Sequence, residues 1–225
     1  MYTVAPVPTI PELIERIVDA GSGSTAFFEY ELKEDGLFLQ QNPAEFAEFV
    51  HYMASSVPPS NLTLDIGIAS GGQTKFLRDY YACQKTIVVD LGQHPDAYNW
   101  PRIRKSLNSD LILEIFDDSH APAVRDSLLP FRGEIDFAYV DGDHSYIGLR
   151  QDIFLVREIL KPGAFMALHD TLAVEDCKRV YDELKASTTF DHVMDFNHRF
   201  GISLWQLREP VASTQENRTS GLGDL

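Results

Sequence analysis

The chain has 225 residues, 44% of them hydrophobic, and a formal net charge of −15. That length sustains one sizeable core, either a single domain or a domain with an appendage. Nucleic acid and anionic membrane surfaces both call for a basic face, so the charge excludes them as expected partners and leaves a small-molecule substrate.

No stretch reaches the roughly 18 apolar residues of a membrane helix, and the N-terminus has neither a basic leader nor an apolar signal core. Cys83 and Cys177 lie far apart without zinc or redox spacing and read as reduced thiols of a cytoplasmic protein. Monomer and homo-oligomer both remain open.

Residues 1–60 differ from the rest of the chain. Prolines 6, 8 and 11 lead into a short amphipathic helix that Gly21 ends, and a Gly/Ser stretch and the aromatic-acidic FFEYELKEDG come next. Asn42-Pro43 starts a second helix that closes before Pro58-Pro59. The segment reads as a helical cap on a domain spanning 61–208. From residue 62 strands and helices alternate. LTLDI (62–66), TIVVD (86–90), LILEIF (111–116), IDFAYV (135–140) and AFMAL (164–168) are short apolar runs of the kind covered on both faces. Helical patterns occupy 72–82, 100–107, 120–129, 145–160 and 175–186. The expected fold is α/β, a doubly wound and mostly parallel sheet with right-handed crossovers. FDHVMDF (190–196) and GISLWQL (201–207) are joined by four residues, which permits a hairpin but no crossover, so the last strand should run antiparallel. The polar stretch 209–225 reads as a disordered tail.

LDIGIASGGQT (64–74) links the first strand to its helix. Its glycines, Gly67 and Gly71 among them, allow a tight turn and close approach of a ligand. The spacing misses the second glycine of the dinucleotide fingerprint, and Asp65 would repel a phosphate while welcoming an amino group. The loop therefore favours a positively charged nucleoside over NAD, with a plain βα turn as the alternative. Asp90 closes the second strand where an acid can take both ribose hydroxyls. Asp118 and Ser119 follow the third strand and suit an adenine edge, although Ser119 serves equally well as a helix cap.

Two further sets close the fourth and fifth strands: Asp141-Gly142-Asp143-His144 and His169-Asp170. Neighbouring parallel strands lie about 5 Å apart, so these groups should share one lip of the sheet. Oxygen and nitrogen donors gathered this way suit a divalent cation. Bland roles compete: Asp143 as a helix cap, Asp152 pairing with Arg150, Arg157 or solvent, His169 as a satisfied strand-end histidine. His51, His94, His192 and His198 show no pattern. Phe27, Phe28, Tyr30 and Trp100 fit core or lid packing better than a substrate mouth.

LDIGIASGG, TIVVD, DDSH, YVDGDHSY, LKPGAFMALHD and the terminal hairpin together resemble the class I S-adenosylmethionine (SAM)-dependent methyltransferases. Within them the chain resembles the macrocin- and mycinamicin-type O-methyltransferase and cephalosporin-hydroxylase-like branch. The resemblance implies a seven-stranded sheet in the order 3-2-1-4-5-7-6 with strand seven antiparallel. It places Asp65, Gly67 and Gly71 at the methionine part of SAM, Asp90 at the ribose, and Asp118 with Ser119 at the adenine. It assigns a divalent metal, magnesium by type, to Asp141, His169 and Asp170, and the catalytic base to His144 beside Asp141. Catechol-type relatives carry Asp-Asn after strand five, so His169 departs from their pattern and Asp170 is the safer ligand. The expected activity is metal-dependent O-methylation of a small hydroxylated metabolite such as a sugar or glycoside. A metal-independent or N-directed methyltransferase, a non-catalytic cofactor-fold protein and an NAD oxidoreductase are the alternatives, in that order.

Overall fold

A computed structural model describes residues 7–107 and 110–209. The stretch read as a disordered tail lies, from residue 210 onward, outside the described residues, as do the first six positions.

Polar caps set the helix starts. Asn42 accepts the Glu45 N–H at 3.1 Å to open α3 (Pro43–Ser56), whose first residue is a proline with no N–H to leave unpaired. Thr9 and Glu12 bond reciprocally to open α1 (Ile10–Ala20), and Ser145 accepts the Gly148 N–H to open α7 (Tyr146–Ile159). A single turn, α2 (Thr25–Phe28), lies between α1 and α3.

The strands are β1 (Ser60–Ile66), β2 (Cys83–Asp90), β3 (Leu111–Phe116), β4 (Ile135–Val140), β5 (Leu160–Leu168), β6 (Phe190–Phe196) and β7 (Ile202–Leu207). They form one sheet in the order β3-β2-β1-β4-β5-β7-β6, with β7 antiparallel to both its neighbours, as expected. Three strands, β1, β2 and β5, begin earlier than their apolar runs suggest. β5 starts at Leu160 and carries Lys161-Pro162-Gly163 through a register shift opposite Ile135 and Phe137. Irregular pairing of that kind is where a strand tolerates proline.

Helices cover both faces. α6 (Pro122–Leu128), α7 and α8 (Glu175–Lys185) pack on one face over Leu64, Ile66, Val140 and Leu168. α1, α3 and α4 (Gly72–Tyr80) cover the other over Phe137, Tyr139, Ala167 and Leu204. Residues 7–60 therefore complete the core of the sheet domain. Phe49 of α3 is fully buried and its ring meets those of Phe46, Phe137, Tyr139 and Phe196. Truncation of such an aromatic typically costs about 3–5 kcal/mol. α5 (Trp100–Leu107) closes a smaller cluster with Ile68 and Val88. No described helix is long and apolar enough to cross a membrane.

Candidate active site

A cavity of about 700 Å³ opens beyond the carboxyl ends of β1, β2, β4 and β5, the crevice that open parallel sheets use for ligands. Of the ten sequence-predicted site residues, eight line it: Gly67, Asp90, Asp118 and Ser119 at one end, and Asp141, His144, His169 and Asp170 at the other.

At the first end the acids are held by the backbone. Asp90 Oδ2 accepts the N–H groups of Ile68 at 2.7 Å and Ala69 at 3.1 Å, and Oδ1 accepts that of Gly92. The last acid of β2 thus shapes the glycine loop that follows β1. Asp118 Oδ1 accepts the His120 N–H at 2.9 Å and lies 3.2 Å from His120 Nδ1. Ser119 caps no helix, because α6 begins at Pro122 behind Ala121.

Asp65 and Gly71 do not line the cavity. Strand alternation turns Asp65 onto the face covered by α3 and α4, where burial drives its carboxyl up to about 7 against the pull of Thr74. A Cβ on Gly71 would meet the Trp100 ring at 2.2 Å, so this glycine makes room for a side chain instead of a ligand. Gly67 sits at φ 79, and a Cβ there would strike the Asp141 carbonyl at 2.0 Å. The glycine loop and the loop after β4 are therefore in backbone contact.

The second end is built differently. Asp141 follows β4 and Asp170 follows β5, the latter with φ 60, a left-handed conformation uncommon outside glycine but visited by Asp. His144 Nε2 lies 3.1 Å from Asp141 Oδ1 and 3.4 Å from Asp170 Oδ2. His169 Nδ1 lies 3.3 Å from the same Asp141 oxygen and 3.4 Å from the same Asp170 oxygen. These His169 contacts lack hydrogen-bond angles, and both its ring nitrogens are buried without a partner. Burial works to raise the Asp141 carboxyl, but the charge of His169 and the bond from His144 hold it below the usual carboxylate range. The bond to Asp141 raises the His144 imidazole. Burial would lower that of His169, and the Asp141 charge overrides it. Two carboxylates on one lip draw positive charge, which the imidazoles supply here.

Ligand atoms of Asp141, His144 and Asp170 lie within 4.8 Å of one another. That set fits a divalent cation: two oxygens and one nitrogen from two strand ends, one of them in strained backbone. It differs from the expected set by one member, with the nitrogen coming from His144; His169, with 4% of its side chain exposed, lies behind.

Several contributors had no local signal. Glu45 is fully buried, and its Oε2 accepts the backbone N–H groups of His198, Arg199 and Gly201, each at 2.9 Å. It ties α3 to the β6–β7 turn and so holds Phe200 in the cavity wall. Phe27 and Phe28 complete that wall, whereas Tyr30 and Trp100 are core. Asp152, expected to pair with Arg150, Arg157 or solvent, is instead fully buried with His120 Nε2 3.3 Å away. Its spacing from Leu149 and Val156 puts it on the buried stripe of α7, a signal the sequence did hold. Asp143 bonds the Ser145 N–H at 2.8 Å beside the cap, and Ser145 itself is the cap.

Residues 64–171 match the family described as a methyltransferase domain. No curated protein matches the chain by sequence. Among solved structures, the chain is similar to the O-methyltransferase TomG of Streptomyces achromogenes, involved in tomaymycin synthesis and solved with SAM. The two are 13% identical with TM-score 0.59 over 88% of this chain and 90% of that one. It is similar to a methyltransferase of Geobacter sulfurreducens, at 12% identity and TM-score 0.56 over 93% and 91%. It is also similar to the N-methyltransferase NodS of Bradyrhizobium japonicum, solved with S-adenosylhomocysteine, at 18% identity and TM-score 0.52 over 90% and 100%. The matched stretch thus carries a methyltransferase domain, on a fold shared with structures solved with SAM or its product.

Proposed function

We propose that the chain is a SAM-dependent methyltransferase acting on a hydroxyl oxygen of a small metabolite, with a divalent cation, magnesium by donor type, held by Asp141 and Asp170. One observation carries the reading: carboxylate oxygens of two strand ends converge in the cavity that the glycine loop also lines, with the His144 nitrogen within 4.8 Å of both and left to take a proton.

Asp90 and the loop it shapes would seat the ribose, and Asp118 with Ser119 the adenine. SAM supplies a methyl carbon on a sulfonium. The acceptor oxygen forms a bond to that carbon as the carbon–sulfur bond breaks, and its electron pair passes to sulfur to leave a thioether. A hydroxyl is a weak nucleophile until its proton departs. His144, with 44% of its side chain exposed, is placed to take that proton and release it to solvent. A divalent cation would supply Lewis acidity, lowering the hydroxyl pKa and fixing its position. Holding donor and acceptor in line contributes up to about 7–11 kcal/mol where geometry is ideal.

The direct bond of His144 Nε2 to Asp141 Oδ1 favours a second, metal-free reading in which the two form an acid–base dyad. Turnover after exhaustive chelation separates the two. The metal-dependent reading expects loss of activity and recovery with magnesium. Full activity in the chelator would reject the cation and leave the dyad.

A further inference from the structure

We propose that the methyl acceptor is a neutral or cationic hydroxylated aromatic ring seated against Phe27, Phe28 and Phe200. The inference rests on the O-methyltransfer reading and adds its substrate class.

The wall is a packed aromatic set. Phe27 stacks on Phe200 with centroids 5.2 Å apart, Phe28 meets Phe27 edge-on at 5.0 Å, and Phe28 lies 5.5 Å from Phe200. It adjoins the acidic lip directly, since the Phe200 ring lies 5.9 Å from that of His169. Two backbone bonds fix it there: Leu172 N–H and Ala173 N–H, just beyond Asp170, donate to the Phe200 carbonyl at 2.8 and 3.0 Å. Phe27 is 53% exposed at the cavity, an apolar ring left facing the space an acceptor would fill. A hydroxyl directed at Asp141 and Asp170 would bring the rest of its molecule against these rings. Flat aromatic carbon matches that surface by stacking.

Charge narrows the class further. Six carboxylates line the cavity, those of Asp90, Asp117, Asp118, Asp141, Asp143 and Asp170, and no lysine or arginine is among the described lining residues. The Arg199 guanidinium lies over the Phe27 and Phe200 rings and bonds Glu29 at 3.0 Å. An acceptor carrying a carboxylate or phosphate away from its reacting hydroxyl would meet these acids with no lysine or arginine among the described lining residues to offset them. A sugar would need polar side chains along its rim. Phe27, Phe28 and Phe200 offer none, and the Gln40 amide is already bonded to Asp96. The aromatic wall thus favours an aromatic acceptor over the sugar or glycoside expected from the resemblance.

The test compares four probes with the full chain in magnesium and S-adenosylhomocysteine: catechol, its aminomethyl and carboxyl derivatives, and methyl glucoside. Calorimetry should show catechol and the aminomethyl derivative binding, the carboxyl derivative about tenfold or more weaker, and the glucoside weakest. With SAM in place of its product, the first two should be methylated. Phe27→Ala should weaken catechol about tenfold while leaving S-adenosylhomocysteine affinity unchanged. Preference for the glucoside, equal binding of the carboxyl derivative, or indifference to Phe27→Ala would overturn the inference. Phe27-dependent catechol binding without any methyl transfer would instead defeat the O-methyltransfer reading and leave the aromatic subsite standing.

Discussion

The two ends of the cavity carry the same kind of acid in opposite states. At the Asp90 end the carboxylates accept backbone N–H groups from the loops they shape, so their charge is already spent on structure. At the Asp141 end the carboxylates face imidazoles, one of which has both ring nitrogens buried and unpartnered. A loop-shaping acid preorganises a binding site for a ligand of fixed form. Unsatisfied groups gathered on one lip mark the place where something else must bind or react. Under the proposed reading, the donor half is finished and the acceptor half is waiting.

Asp141→Ala probes this difference most strongly. It should cut turnover by about three orders of magnitude, equivalent to roughly 4 kcal/mol of transition-state stabilisation, while S-adenosylhomocysteine affinity stays within about threefold. A parallel loss of affinity, measured by calorimetry, would mean that the two ends are not separable. Glu45→Ala ranks second, because it unpairs three backbone N–H groups at the turn carrying Phe200. Two of these can find water, so the expected cost is about 2–3 kcal/mol. Thermal unfolding should register that as a fall of about 4–12 °C in Tm, with acceptor KM rising more than that of SAM.

The last effect, the smallest per pH unit, concerns pH. The Asp65 carboxyl is raised to about 7 in the folded chain against 3.8 for the free group. Its contribution to stability is complete below the unfolded pKa and disappears as pH rises through the folded one. Between pH of about 4 and 7 stability should therefore fall by up to about 1.4 kcal/mol per pH unit on account of this group. Denaturant melts of Asp65→Asn should lack that component. An identical slope in both proteins would show that the carboxyl titrates normally.

The same contrast explains what the sequence disclosed. Strands buried on both faces announce themselves as apolar runs, and the four-residue link between the last two dictates an antiparallel pair, so the strands were legible while their order came from the family resemblance. Residues at strand ends were legible for the same reason, since Asp90, Asp141 and Asp170 need only the strand register to be placed. Asp65 and Gly71 share the glycine-loop motif, but strand alternation buries the first and Trp100 claims the space beside the second. The acceptor wall was hidden because it depends on contacts between distant segments. Glu45 reads locally as an ordinary first-turn acid on a helix, and only the fold brings it to a turn more than 150 positions away. Phe27 and Phe200 are joined in the same way.

The central claim is a cation site between Asp141 and Asp170 beside a SAM site. Anomalous scattering from crystals grown with S-adenosylhomocysteine and manganese, a stand-in for magnesium, tests it most directly. One strong manganese peak is expected about 2.0–2.2 Å from carboxylate oxygens of both aspartates. S-adenosylhomocysteine in the cavity with no peak between those aspartates would contradict it.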